Sequence, residues 1–345
     1  MMLPLSRLLR CVTASSSTTM LAQTVCLLTP SSPKRSSRCR KPDLMADAIL
    51  FDEPTRRRLE QLMLVAQKVR AGAIKGERRS TKRGTSIEFA DYRNYAPGDD
   101  LRRLDWNIYA RLGRPLTKLF EDEEDLSVHL LIDTSASMNF PTEGAPDHNK
   151  FLWARRLIGG IGYISLTTSD RMISAAVSID GQRVPPFGPS RGRAASIGWF
   201  RWLSELRAAG ETDLNATLKD YAARLKRPGL CVIVSDCFSA GGIVDGLNAL
   251  LGRGCEVALI HTLSPEEVDP PLVGDLRLVD AETGIGQDVS LDPGLREQYI
   301  RRVTAWQQDL RADCTRRGAH YIPVVTSAGW DRVILHEMRR AGIVR

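Results

Sequence analysis

The chain has 345 residues, 43% of them hydrophobic, enough to bury a complete α/β core as one large domain or two smaller ones. Its formal net charge is +7, but residues 1–44 carry seven Lys/Arg against Asp43 alone, so +6 of the excess belongs to the leader and residues 45–345 are nearly neutral. That balance argues against a body that tracks a nucleic-acid backbone, and the lack of any run of eighteen uncharged apolar residues argues against a membrane span.

The leader, residues 1–44, is rich in Ser, Thr, Arg and Lys and reads as disordered, or as a start placed too far upstream of Met45. It is a poor secretory signal, because the apolar stretch from Met20 to Leu28 is broken by Gln23 and Thr24. Residues 45–75 form an N-terminal helical segment, the helix itself expected over 54–71 from the spacing of Leu59, Leu62, Leu64 and Val65. Residues 76–125 hold many Arg, Gly, Asp and aromatic residues with little helical periodicity, which predicts short strands and loops. Within them the basic run Lys75–Arg83 reads as a solvated loop pairing with Glu121, Asp122, Glu123 and Glu124, and the mixed charges of Gly98–Trp106 as an internal ion-pair network or a partner-facing patch.

From residue 126 to 345 the pattern alternates strand and helix, the signature of a doubly wound, mostly parallel α/β sheet. Strands are expected at 126–133, 171–179, 230–236, 255–262 and 320–325, and helices at 148–167, 194–208, 213–226, 242–252, 293–317 and 330–340. Asp180-Gly181-Gln182 predicts a hairpin turn that returns the chain as an antiparallel edge strand at Arg183-Val184. The Pro- and Gly-rich segment 263–291 is expected to be a small appended strand insertion. Seven scattered cysteines without a Cys-x-x-Cys pair suggest reduced thiols and a soluble, cytoplasmic protein.

Chemistry is expected where the first strand ends. Val128-His129-Leu130-Leu131-Ile132 runs directly into Asp133-Thr134-Ser135-Ala136-Ser137. A buried parallel strand would deliver these oxygens to the carboxyl edge of the sheet, where open α/β folds bind ligands. Magnesium prefers near-octahedral oxygen ligands and keeps several waters; neutral serine hydroxyls hold it without quenching its charge. Asp236, after the apolar run Leu230–Val234, and Thr212, in Gly210-Glu211-Thr212-Asp213, are the further oxygens such a site needs. The set admits Mg2+, Mn2+ or Ca2+.

The positions Asp133, Ser135, Ser137, Thr212 and Asp236 resemble the metal-ion-dependent adhesion site (MIDAS) of von Willebrand factor A domains. A second resemblance covers about residues 50–330. Arg79–Phe89, Asp91–Trp106, Ala110–Pro115 and Lys118–Glu123, then Ser264-Pro265-Glu266-Glu267 and Gly274–Asp280, look like the signature of the bacterial domain of unknown function family 58. That resemblance implies a von Willebrand factor A (Rossmann-like) sheet and a partnership with a MoxR-type AAA+ ATPase. It implies a non-catalytic, protein-binding module whose metal receives an acidic residue of the partner, in protein-complex assembly or maturation.

Enzyme motifs are weaker. Gly188-Pro189-Ser190-Arg191-Gly192 fits the Gly-x-Ser-x-Gly string, but Val184-Pro185-Pro186-Phe187 before it is a poor central strand. No phosphate-binding loop is present, and the five histidines lack ligand spacing, so His129 and His261 read as core residues. The alternative to a binding module is a hydrolase using the same metal to activate water.

Overall fold

The computed structural model describes residues 53–66, 88–96, 101, 104–121, 126–142, 146–177, 184–270, 274–279, 286–291 and 293–345. The leader with Cys11, Cys26 and Cys39, the Lys75–Arg83 run, residues 122–125 and the Asp180-Gly181-Gln182 turn lie outside these residues. The chain divides into two compact units, one over residues 73–125 and the other comprising everything else.

The first described element of the larger unit is α1 (Glu53–Leu59), much shorter than the helix expected over 54–71. Local propensity loses here to long-range pairing: Met63 N–H donates to Arg345 O (3.1 Å), Val65 N–H to Ile343 O (2.8 Å), and Arg345 N–H returns to Met63 O (3.0 Å). Leu62, Leu64 and Val65 are therefore buried from an extended segment.

In the smaller unit β1 (Glu88–Asn94) pairs antiparallel with β2 (Leu116–Glu121), with a bulge between Phe89 and Asp91. Between them lies α2 (Trp106–Leu112), a helix where only strands and loops were expected. Its signals are at its ends. Asp105 Oδ1 accepts from Asn107 N–H (2.9 Å) and Ile108 N–H (3.1 Å), and Gly113 closes the last turn at φ 63°, a left-handed conformation that suits glycine. Tyr92 donates its hydroxyl to the other Asp105 oxygen at 3.0 Å, so that acid holds a helix cap in place.

The core sheet of the larger unit is built from β3 (Ser127–Asp133), α3 (Lys150–Thr167), β4 (Arg171–Val177), β5 (Phe187–Ser190), α4 (Ser196–Glu205), α5 (Leu214–Arg224), β6 (Leu230–Ser235), α6 (Val244–Gly252) and β7 (Glu256–Leu263). After β7 come the single turn α7 (Pro265–Val268), the hairpin of β8 (Gly274–Val279) and β9 (Gly286–Leu291), α8 (Pro293–Arg317), β10 (His320–Val325) and α9 (Trp330–Arg332), which runs into a π-helical turn at Val333–Met338. Six strands form one sheet in the order β10-β7-β6-β3-β4-β5. All pairings are parallel except β4 with β5.

Strand periodicity divides the core. Val128, Leu130 and Ile132 of β3, with Val232 and Val234 of β6 and Ala258 and Ile260 of β7, enter the cluster under α3 and α4. Leu131, Cys231, Ile233, Val257 and Leu259 enter the opposite cluster under α5, α6 and α8. Helices thus cover both faces, which is why β3, β6 and β7 are buried at every residue. The edge strand appears four residues later than expected, as Phe187–Ser190, and begins after Pro185 and Pro186, which cannot donate to a ladder. Ser190 pairs with Met172 near the start of β4, at the end of the sheet opposite Asp133.

His129 is a core residue of β3. Arg227 O can only accept, so Nε2–H donates to it (3.1 Å) and Nδ1 accepts from the Tyr221 hydroxyl (2.8 Å). Burial pushes its pKa down to about 4 from an ordinary 6.5. A depressed folded-state value contributes stability above pH 6.5 that is lost as pH falls toward 4, here about 3 kcal/mol. The urea stability of wild type and His129→Leu, compared at pH 7.5 and pH 4, should converge by about that amount. A gap of constant size at both pH values would mean that His129 takes up its proton in the fold as readily as in the unfolded chain.

Candidate metal centre at the carboxyl edge of the sheet

β3 is buried along its whole length and lies between β4 and β6, so Asp133 emerges in the middle of the carboxyl edge. Its Oδ1 accepts from Ser135 N–H (2.9 Å), which turns the chain sharply out of the sheet. A single 3-10 turn, Ala136–Met138, follows. The turn brings Ser135 Oγ and Ser137 Oγ to 3.0 Å, both buried. Asp133 Oδ2 accepts the hydroxyl hydrogen of Ser235, the last residue of β6, at 2.6 Å. The neighbouring strand is thereby latched to the same carboxylate.

Asp236 repeats the device. Its Oδ1 accepts from Phe238 N–H (3.1 Å), and Cys237 between them sits at φ 58°. A non-glycine residue held in that region costs energy and tends to mark functional sites. Thr212 is brought to the site by backbone stitching, with Ala209 N–H donating to Thr134 O and Ala136 N–H to Gly210 O, each at 2.9 Å. Its own hydroxyl is buried and donates to Val177 O at 3.5 Å, the end of β4. Asp133, Ser135, Ser137, Asp236 and Thr212 thus all lie on loops at the carboxyl ends of β3, β4 and β6 or are bonded to them.

Two charged residues complete the cluster and were not anticipated. Lys150, in the first turn of α3 and fully buried, donates to Asp236 Oδ2 and to Glu267 Oε1, both at 2.6 Å, with its ammonium 4.7 Å from the centre of the Phe238 ring. Glu267 closes a capping box on α7: its Oε2 accepts from Ser264 N–H (2.8 Å) and Ser264 Oγ accepts from Glu267 N–H (3.2 Å). The Ser264–Glu267 string entered the sequence reading only through the family resemblance, and nothing local to Lys150 marks it as buried.

Burial, with the neighbouring Asp236 charge second, pushes the Asp133 carboxyl up to about 6. Burial likewise drives Glu267 up to about 7 although the Lys150 ammonium opposes it. For Lys150 burial alone would lower the value, but Asp236 and Glu267 together reverse that and raise it, so the lysine stays charged. One cation among three acids leaves the cluster with surplus negative charge whenever the acids ionise.

The residues can be tested as ligands for a divalent ion. Among the described residues no three His, Cys, Asp or Glu side chains are grouped as a metal cluster. The donors here are mostly hydroxyls, and the 3.0 Å between Ser135 and Ser137 oxygens is also the edge of an octahedron with Mg–O bonds of 2.0–2.1 Å, about 2.9 Å. Two buried hydroxyls at that spacing beside a buried carboxylate fit magnesium. Asp236 fits through water or at longer range, since Lys150 already holds one of its oxygens. His261 offers no base to this cluster: it is buried and pushed down to about 4, its Nε2–H donates to Asp236 O (3.1 Å), and its Nδ1 accepts from Tyr321 (2.7 Å). The four described cysteines, Cys231, Cys237, Cys255 and Cys314, are free and buried.

Fold and site together define an α/β protein with a mostly parallel sheet and, at the sheet's carboxyl edge, an oxygen-rich cluster of three acids, two serines and one buried lysine. The chain belongs to the family described as "Protein of unknown function DUF58", which matches residues 91–309. The uncharacterized protein Rv1480 of Mycobacterium tuberculosis is 27% identical over 286 residues, 82% of this chain and 89% of its own length. The uncharacterized protein MAV169 of Mycobacterium avium is 32% identical over 119 residues, 34% of this chain and 70% of its own. Among solved structures, the conserved hypothetical protein BatB from Bacteroides thetaiotaomicron aligns over 63% of this chain and 98% of its own at 15% identity and a TM-score of 0.37. The pilus adhesin SpaC from Lactobacillus rhamnosus GG aligns over 65% and 31% respectively, at 9% identity and a TM-score of 0.40. No helix among the described residues is long and apolar enough to cross a membrane.

Proposed function

We propose that this chain is a non-catalytic protein-binding module of the von Willebrand factor A type. Asp133, Ser135, Ser137, Thr212 and Asp236 hold a divalent cation, Mg2+ first and Mn2+ or Ca2+ as alternatives. The partner is a MoxR-type AAA+ ATPase, met in the cytoplasm during assembly or maturation of protein complexes. The observation that carries the reading is the pairing of the Ser135 and Ser137 hydroxyls beside Asp133, with Ser235 tying β6 to the same carboxylate.

When bound, the ion supplies an electrophilic coordination position that an acidic side chain of the partner can fill. The chain's own residues do the rest: the two serines donate neutral oxygen, the Asp133 turn fixes their spacing, and the sheet behind them excludes water from one side. Full-length protein immobilised on beads should retain the ATPase in magnesium and release it in EDTA, and Asp133→Ala should retain none. Retention indifferent to both chelator and substitution would remove the metal from the interaction.

A further inference from the structure

Lys150 stands where a lysine is least expected. It occupies the first turn of α3, the end of a helix that disfavours positive charge, and has no contact with solvent. Asn149 fixes its position: the Asn149 side chain caps α3 through Leu152 N–H (3.0 Å) and is itself bonded to Asn139 Oδ1 (3.1 Å) and Pro141 O (2.9 Å), just past Ser137. The ammonium is thus delivered to Asp236 by the same loop that carries the serine hydroxyls.

Glu267, by contrast, cannot follow the lysine. Its carboxylate is held by the capping box and its carbonyl accepts the Tyr299 hydroxyl at 2.6 Å. It acts as a fixed anchor pulling the ammonium away from Asp236, while Asp236 pulls it toward the site.

We propose that Lys150 is a built-in competitor cation: its bond to Asp236 opposes a divalent ion at the Asp133 cluster, and Glu267 sets how strongly, so that the metal is held weakly and exchangeably. This rests on the metal-binding reading above and deepens it. A docking site needs such tuning, because an ion compensated by every nearby carboxylate would be a structural cation with little attraction left for a partner's acid.

Two substitutions with opposite signs test it. Lys150→Met deletes the competing charge and should tighten Mn2+ binding about tenfold or more. Glu267→Gln leaves the ammonium wholly to Asp236 and should weaken binding by at least about threefold. Mn2+ affinity of the full chain would be read from the free-ion EPR signal, with circular dichroism confirming that each variant is folded. A merely structural lysine predicts loss of affinity in both variants, and that result, or no change in either, overturns the proposal. Should Lys150→Met fail to fold, Lys150→Gln takes its place as the uncharged variant, and binding no tighter than wild type overturns the proposal. If wild type binds Mn2+ but the signs do not oppose, only this inference fails; if neither wild type nor either variant binds, the metal reading fails with it.

Discussion

Asp133→Asn should make the protein more stable in EDTA and deprive it of its response to magnesium. Burial, with the Asp236 charge after the adjacent strand second, raises the Asp133 carboxyl to about 6, so ionising it there costs energy. The group's folded-state pKa lies above its ordinary 3.8, so it destabilises the fold increasingly as pH rises from about 4 to 6 and by a constant amount above. At pH 7.5 that amount is at most about 3 kcal/mol. Asparagine escapes it while preserving geometry: its carbonyl can still accept from Ser135 N–H, and its amide can donate to the Ser235 hydroxyl once that rotor turns. Magnesium should then close most of that gap. An ion that binds only the folded state adds about 2.7 kcal/mol at a hundred times its Kd, and the variant, lacking the carboxylate, should gain almost none of this. Chemical denaturation at pH 7.5 with EDTA and with millimolar magnesium reads both halves. A variant weaker than wild type in EDTA would show that Asp133 is held by its hydrogen bonds more than it is opposed by Asp236. Equal stabilisation of both proteins by magnesium would place the ion elsewhere.

The parts of this site that could be read in the sequence are those whose signal is local. β3 and β6 are mostly apolar, because both faces of their sheet are covered, and lead into Asp133 and Asp236; an apolar run followed by an acid is visible without knowing the partners. The Asp133–Ser137 turn is legible for the same reason. Lys150 is not, since its partners lie 86 and 117 residues away and its neighbours in sequence mark only a helix. Thr212 is intermediate: its residue type suited the chemistry, but its approach depends on the backbone bond between Ala136 and Gly210. The same division explains α1 and α2. The periodicity of Leu59, Leu62 and Leu64 suggested one long helix, whereas Met63–Val65 pair with Ile343–Arg345. In α2 no residue is buried, so periodicity had nothing to report and only the Asp105 and Gly113 end signals remained.

The largest loss of stability is expected at Trp199, and its sign structure can be tested in one cycle. The indole is fully buried under α3, donates weakly to Gly159 O (3.4 Å) and stacks on Trp202. Trp199→Ala should cost about 3–5 kcal/mol through lost burial and the cavity left behind. The close approach is possible because position 162 lacks a side chain: a Cβ there would meet the Trp199 ring at 2.6 Å. Gly162→Ala should therefore destabilise by about 1–3 kcal/mol in the wild-type background, as overpacking does. With the indole gone the same substitution should become favourable by up to about 1 kcal/mol, because alanine is the better helix former and its methyl now enters empty space. Urea midpoints of the four proteins give the coupling, and a Gly162→Ala effect of the same size in both backgrounds would refute the contact. Lys150 lies twelve residues away on the same helix, about 18 Å at 1.5 Å per residue, and its position is fixed by the Asn149 cap rather than by Trp199. Folded Trp199→Ala protein should accordingly keep the magnesium response that Asp133→Asn loses, separating what holds the sheet and helices together from what holds the ion.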